Sequence, residues 1–449
     1  MNELLLDTLD IKRKYFDDGN NLCFEAEIIK KPTCCPNCGS INFVKYGNYH
    51  RQIKDLPISG NNVYIELLDN RYKCKDCNQT FLNTCEDVDI NAKLSKRLKL
   101  HVQKAALNQT LQQVAVDYNI APGTVYKLLV EHIKKVSSEY VIKAPRVLGI
   151  DEAHLNNIMR CVYVDIEHKG IIDIQPSRAV KNVVDYLNNL PGKENVKIVT
   201  MDMWNQYRKA VYETLPNAII VVDRFHVIKM INNVLDEERR RISNTVPRAQ
   251  RISLKDSRFA LLHNFDELDK KQLQDYKNII TAYPTLKIVH QAKEMFRSIY
   301  DSSRTSEAEA KYNKWKDFVR QNPELKCYEG CIKTIESWHS EIFSFFVYHY
   351  TNGVTEALNN TVKCIEKMGR GYSFEMLRAR VLFGTSATKQ SYKQHTKRKP
   401  SYINRNCYWS TFRSSANMFR IEPELLSIER SYVDIDDLYT ILSNKKETG

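Results

Sequence analysis

Three short apolar runs, each closed by an aspartate, constrain this chain more than any other feature. Val147-Leu-Gly-Ile150 ends on Asp151, Val196-Lys-Ile-Val-Thr-Met201 on Asp202, and Ala218-Ile-Ile-Val-Val222 on Asp223. Runs of this length and β-branched content read as buried strands. Between them, residues 159–174 read as a hairpin turning at Lys169-Gly170. Residues 177–190 form an amphipathic helical pattern closed by Pro191-Gly192, and residues 204–215 a second helix. The order β-β-β-α-β-α-β predicts a mixed sheet flanked by helices. Taken singly, each aspartate reads equally well as a helix N-cap. Three of them at strand ends of one sheet form an oxygen-rich set suited to Mg²⁺ or Mn²⁺. Two such ions side by side can activate a nucleophile and stabilise the leaving oxygen of an in-line phosphoryl transfer.

The amino-terminal part carries a different signature. Cys35-Pro-Asn-Cys38 and Cys74-Lys-Asp-Cys77 are two C-x-x-C knuckles separated by 35 residues. Four thiolates on two tight turns match a closed, tetrahedral, structural zinc site. Cys34 competes with Cys35 as a ligand, but Cys35 gives the two-residue gap. Seven of the 12 cysteines fall within the first 85 residues. The others are scattered, Cys327 and Cys331 included, and read as core or surface thiols rather than a disulfide framework; Cys23 and Cys85 are expected to pack. The rest of residues 1–90 reads as irregular, with short strand-like runs such as Asn62–Leu68.

Residues 91–143 change to apolar positions at helical spacing. They hold nine Lys/Arg against three acids, a local net charge of +6. A helix ending near Tyr118, a turn at Asn119-Ile120 and Pro122 in the first turn of a second helix predict a helix-turn-helix. Ala115, Ile120, Val125 and Leu128 then face inward. Thr124, Tyr126 and Lys127 face outward as recognition-helix residues do in the major groove, with Lys134 and Lys135 farther along. The whole chain has 67 Lys and Arg against 54 Asp and Glu, a formal charge of +13, which suits a polyanionic partner. From Met376 to Ile421 there is no acid but ten Lys/Arg, interleaved with aromatics. Lys397, Arg398 and Lys399 are its densest cluster, fitted to track phosphates and stack unpaired bases. No apolar run of about 18 residues suggests a membrane span, and the first residues lack a cleavage-site pattern, so the expectation is a cytoplasmic chain.

Gly149-Ile-Asp151-Glu152, Asp202-Met-Trp204-x-x-Tyr207, Asp223-Arg-Phe-His226-Val and Asn352-Gly353-x-x-Glu356-x-x-Asn359, followed by Lys363 and Gly371-Tyr372-x-Phe374, resemble the transposases of the ISL3 group of insertion sequences. The zinc knuckles and helix-turn-helix match that group's layout, so the resemblance covers nearly the whole chain. It implies a bacterial, nucleoid-associated DDE transposase on an RNase H-like fold. Asp151 is then the first acid, Asp202 the second and Glu356 the third, on a helix beyond an all-helical insertion. Asp223 and His226 form a D-x-x-H pair beside the metals; the plain alternative for His226 is a structural histidine. Glu366 and Glu375 stay open as alternatives to Glu356, and Glu152 points to the opposite face from Asp151 if its strand continues.

The resulting layout is multidomain α+β and α/β. It comprises a zinc ribbon (1–90), a helix-turn-helix (91–145), the first part of an RNase H-like mixed-sheet core (146–235), a helical insertion (236–345), the last part of the core (346–400) and a tail (401–449). Implied partners are double-stranded DNA, as terminal inverted repeats and as target, and a second copy of the chain on that DNA. Implied cofactors are one structural zinc and two catalytic Mg²⁺ or Mn²⁺. The competing function is a non-catalytic DNA-binding regulator derived from such an enzyme, which has no reason to keep every acid.

Overall fold

The first sheet joins β1 (Leu9–Phe16), β2 (Leu22–Ile28), β3 (Phe43–Ile58), β4 (Asn61–Cys74) and β5 (Thr80–Leu82). Strand order is β1-β2-β4-β3, with β5 also on β4; β2 and β4 run parallel and the other pairs antiparallel. Leu9, Phe24, Ile53, Val63, Ile65 and Leu67 form its core. The β3–β4 hairpin turns on Ser59 and Gly60 at φ 51° and 83°, the two left-handed positions of a tight type I′ loop. Most of residues 1–90 is therefore sheet, not irregular chain. The strand that sequence reading missed is β3, exposed from Val44 to His50 and so lacking an apolar alternation. Its hydrogen bonds to β4 make it a strand, not its burial. The computed structural model describes residues 4–369 and 371–384. Lys397, Arg398, Lys399, most of the acid-free stretch and the 401–449 tail lie outside the described residues.

Three helices follow: α1 (Lys96–Asn108), α2 (Leu111–Asp117) and α3 (Pro122–Glu139). Ser95 and Thr110 cap the first two through their hydroxyls, each accepting an N–H at 3.2 Å. Proline opens the third, where its missing N–H costs nothing. Val102, Val114, Val125 and Leu129 close a small core between them, joined by Met376 from far along the chain. Ser95 and Arg97 both bond Asp55 at the end of β3, tying these helices to the first sheet.

The second sheet holds β6 (Val147–Leu155), β7 (Ile158–Asp165), β8 (Gly170–Ile174), β9 (Ile198–Met201) and β10 (Ile219–Val222) in the order β10-β9-β6-β7-β8. β6, β9 and β10 are parallel, while β7 and β8 are antiparallel additions. Helices α4 (Val180–Asn188), α5 (Asn205–Thr214) and α6 (Arg224–Ser243) complete the expected mixed α/β arrangement. One expectation changes here. β6 does not stop at Asp151; it continues to Leu155 and turns through Asn156 and Asn157, at φ 51° and 59°. Its pairing with β9 ends at Gly149, whereas its pairing with β7 persists to Leu155. Asp151 thus sits mid-strand, where one edge of β6 becomes free.

α6 runs unbroken through residues 235 and 236 into a helical stretch that includes Arg248–Asp256, Lys270–Ala282, Pro284–Arg297, Thr305–Gln321 and Glu329–Ser337. One apolar core links it to the second sheet through residues such as Leu235, Leu254, Leu286 and Trp315. Trp315 satisfies its indole N–H on the Ala292 carbonyl at 2.8 Å. The chain then returns through α7 (Gly353–Gly369), which packs on β6, and α8 (Phe374–Phe383), which packs on β8 and α1. Among the described residues no helix is long and apolar enough to cross a membrane.

Candidate functional site

The β3–β4 hairpin builds the cysteine site. Its register sets Phe43 opposite Cys74, so the knuckle before β3 meets the knuckle at the end of β4. Each knuckle closes on itself: Cys35 N–H donates to Ser40 O and Cys74 N–H to Gln79 O, at 2.8 and 2.9 Å. The residue after each second cysteine, Gly39 at φ 72° and Asn78 at φ 58°, takes the left-handed turn conformation that suits those two residue types. Cys35 Sγ lies 3.7 Å from Cys77 Sγ and Cys38 Sγ 3.6 Å from Cys74 Sγ. A tetrahedron with zinc–sulfur arms of about 2.3 Å has edges of about 3.8 Å. Cys34 is exposed and outside the cluster. The backbone amide of Gln79 is the main cause that lowers the Cys77 thiol, which shares its proton with the neighbouring Cys38. Cys23 is buried and Cys85 packs at the edge of the first sheet's core.

The acids meet where β9 and β10 end, beside the stretch of β6 that β9 leaves unpaired. Asp202 directly follows β9. Asp223 directly follows β10 and anchors its N–H on Met201 O at 3.1 Å. Its carboxylate then caps α6 by accepting from Phe225 N–H at 3.3 Å. That cap orients the first turn of α6, and His226 Nδ1 comes within 2.7 Å of Asp202 Oδ1 and 4.0 Å of Asp223 Oδ2. Ligand atoms of Asp202, Asp223 and His226 all lie within 4.8 Å of one another. The tightest trio is therefore not the trio that the resemblance implied. Asp223, expected beside the metals, lies within it, while Asp151 and Glu356 flank it.

Glu356 reaches the site because α7 lies unusually close to β6. A side chain on Gly149 would place its Cβ 2.6 Å from Thr355 Oγ1. Only a glycine lets the helix approach this far. Along the same helix, Asn352, Thr355 and Asn359 are buried. Asn359 Nδ2 donates to Asp151 Oδ2 at 2.7 Å, and Asp151 Oδ1 accepts the Glu152 N–H at 2.7 Å. Glu366 instead accepts from the Asn156 amide at the β6–β7 turn. Glu375 lies beside Arg160 and Arg378, in a hollow lined by Phe374 and Pro176. Glu152 pairs with Arg178 at 2.6 Å.

These carboxylates disturb one another. Burial first, then the charge of Asp202, pushes the Asp151 carboxyl up to about 7. Asp223 and Glu356 are also raised, again mainly by burial. Burial works against protonation of His226, but its hydrogen bond to Asp202 and the charges of Asp202 and Asp223 raise it overall. His226 when protonated, and Lys229 beside it, offset the acid cluster. Beside them opens a cleft of about 580 Å³, bordered by Asp151, Asp202, His226, Trp204 and Lys229.

Of the side chains expected to read DNA, Tyr126, Lys127, Lys134 and Lys135 are exposed on α3, and Thr124 is half-buried at its start. Sequence reading gave no role to Gly149 or Asn359, although both stood inside the motifs it used. The Asn156-Asn157 pair was the unused signal for the length of β6, since two successive asparagines favour the left-handed turn of a two-residue hairpin.

Two family profiles match the chain. The profile of ISL3-type DDE transposases matches residues 148–381. The zinc-finger of transposases IS204/IS1001/IS1096/IS1165 matches residues 31–77. The transposase for insertion sequence element IS1001 from Bordetella parapertussis is 23% identical over 363 residues, covering 79% of this chain and 89% of that protein. The transposase for insertion sequence element IS1557 from Mycobacterium tuberculosis is 23% identical over 254 residues, covering 51% of this chain and 57% of that protein.

Proposed function

The chain belongs to the ISL3 family of insertion-sequence transposases, and on that premise we propose that it binds the terminal inverted repeats of its element, cuts the DNA ends and joins them to target DNA. The observation that carries the catalytic part is the meeting of Asp151, Asp202, Asp223, His226 and Glu356 where β9 and β10 end, beside the middle of β6 and the start of α7. In this reading the order β10-β9-β6-β7-β8 is an RNase H-like core, residues 236–345 are an insertion into it, and α2 and α3 form a helix-turn-helix that presents Tyr126, Lys127, Lys134 and Lys135 to DNA.

The donor set fits Mg²⁺ or Mn²⁺. It offers hard oxygen ligands, several of them buried and raised above their ordinary range chiefly by that burial. Asn359 Oδ1 is buried with no hydrogen-bond partner among the described residues. Asp151, Asp202 and Glu356, with Asp223 alongside, would hold the ions. When bound, two such ions lower the pKa of an attacking water or 3′-hydroxyl and stabilise the leaving oxygen. The protein's own contribution is placement. Asn359 and the Glu152 amide fix the Asp151 carboxylate. Gly149 lets α7 bring Glu356 to the strand ends. His226, with Nδ1 held 2.7 Å from Asp202 Oδ1, steadies that carboxylate and offsets charge when protonated.

The zinc knuckles are structural, with four thiolates and no open position. Working on two element ends calls for two copies of the chain on the DNA. A non-catalytic regulator would need neither the buried acids nor the close approach at Gly149. The test is cleavage of a labelled element end with Mg²⁺: the wild type cuts, and Asp202→Asn binds the end without cutting it. A wild-type protein that binds ends but cuts neither end nor target in Mg²⁺ or Mn²⁺ favours the regulator.

A further inference from the structure

Building on the reading above, we propose that the cleft beside the acids is a subsite for one unpaired nucleobase, taken from the DNA next to the scissile phosphate and stacked on Trp204. None of the catalytic roles given above uses this tryptophan, yet it is fixed to the site. Its backbone N–H donates to Asp202 O at 2.8 Å, so only a tight turn separates the indole from a metal-binding carboxylate. Tyr207 supports the ring from below, with centroids 4.3 Å apart at a 60° tilt. The Arg178 guanidinium lies 5.5 Å from the ring centre, steadied by Glu152 at 2.6 Å. The indole itself is only half-buried and borders the cleft.

The opposite wall comes from α6. Lys229 stands one turn beyond His226, and Asn233 and Glu237 continue along the same lining. The cleft therefore has an aromatic wall, cations in its lining and an amide offering both a donor and an acceptor. A flat base with a polar edge and a phosphate on either side fits this chemistry. The volume of about 580 Å³ lies in the ordinary range for enclosing a small planar group. The acids give the reason to unpair the base. Asp151 and Asp202 line the same cleft as Trp204, so a phosphodiester held at these acids brings its nucleotide beside the indole. A nucleotide still stacked in a duplex cannot follow its phosphate there, whereas one turned out of the stack can.

The experiment compares two labelled element ends in Mg²⁺, one fully paired and one mispaired at the positions flanking the cut. Wild type is expected to cut both. Trp204→Ala should cut the paired end at least about tenfold more slowly, as loss of one stacking platform implies, while recovering to within about threefold of wild type on the mispaired end. Trp204→Phe keeps a ring and should fall between the two on the paired end. Recovery of cutting on the mispaired end by Trp204→Ala shows that the fold around the acids survives. Equal loss on both ends would mark Trp204 as merely structural, and wild-type cutting of the paired end by Trp204→Ala would remove the subsite. Trp204→Phe no better than Trp204→Ala also overturns it. Failure of the transposase reading shows elsewhere, as a wild type that cuts neither end.

Discussion

The cysteine centre and the carboxylate centre are built by opposite means. All four sulfurs come from one hairpin, and the register Phe43↔Cys74 alone brings the knuckles together. The acids come from two strand ends, the middle of β6 and a helix start, spanning Asp151 to Glu356, and meet only when a sheet and a returning helix are both in place. The local centre has a geometry that its spacing specifies. The distributed centre has one that packing specifies, and packing reordered its members: Asp223 joined Asp202 and His226 in the innermost group.

Charge removal at the acids gives the largest expected contrast. Asp151→Asn, Asp202→Asn and Glu356→Gln should each lower end cleavage by several orders of magnitude with end binding intact, measured on a labelled end in Mg²⁺. The position of Asp223 sharpens this. If the inner trio is functional, Asp223→Asn loses as much as Asp202→Asn; a loss of only about tenfold would return Asp223 to a supporting place.

At the cysteine centre the change should be all-or-none but confined. Cys74→Ser should drop the zinc content from about one per chain towards zero and abolish end binding. The second sheet has its own core and should stay folded, as a retained calorimetric transition would report. Joint unfolding of both parts would break the comparison.

Gly149→Ala probes how far the distributed centre depends on one contact. The added methyl meets Thr355 Oγ1, so overpacking should cost about 1–3 kcal/mol, and displacing Glu356 should slow cleavage by up to about 100-fold. A second change, Thr355→Ala, should restore part of both. Wild-type stability and rate in Gly149→Ala alone would show that α7 has room to spare.

The smallest effect is the pH response of the metal-free protein. Asp151 titrates near 7 in the fold, above its value in the unfolded chain, so the folded state binds that proton more tightly. Stability from this source is present at low pH and lost as pH rises towards and through 7. Asp223 and Glu356 act in the same direction. His226 is also raised, and its contribution is likewise lost as pH rises through its folded value. Without divalent metal, Tm should therefore be lower at pH 8 than at pH 6, on the order of 2–4 °C. Adding Mg²⁺ should raise Tm more at pH 8, where the acids are free to bind it. A larger Mg²⁺ effect at pH 6 would contradict the raised acids.

By itself the sequence determined the features whose physics is local. Two C-x-x-C turns, each followed by a residue at ease in the left-handed region, specify a four-sulfur site wherever a hairpin joins them. Pro122 and the capping hydroxyls specify helix starts, and apolar runs ending in acids specify buried strands and their order. Tertiary structure decided the rest. β3 is exposed from Val44 to His50, and pairing with β4 rather than burial makes that half a strand. Asp151 lies mid-strand because β9 stops pairing at Gly149 while β7 continues. Glu356 lies near enough to Asp223 and Asp202 to feel their charge, whereas Glu366, farther along the same helix, bonds the β6–β7 turn. Which carboxylates share a cation depends on distances between residues far apart in the chain, and no spacing along the chain encodes these until the sheet and the helix have packed.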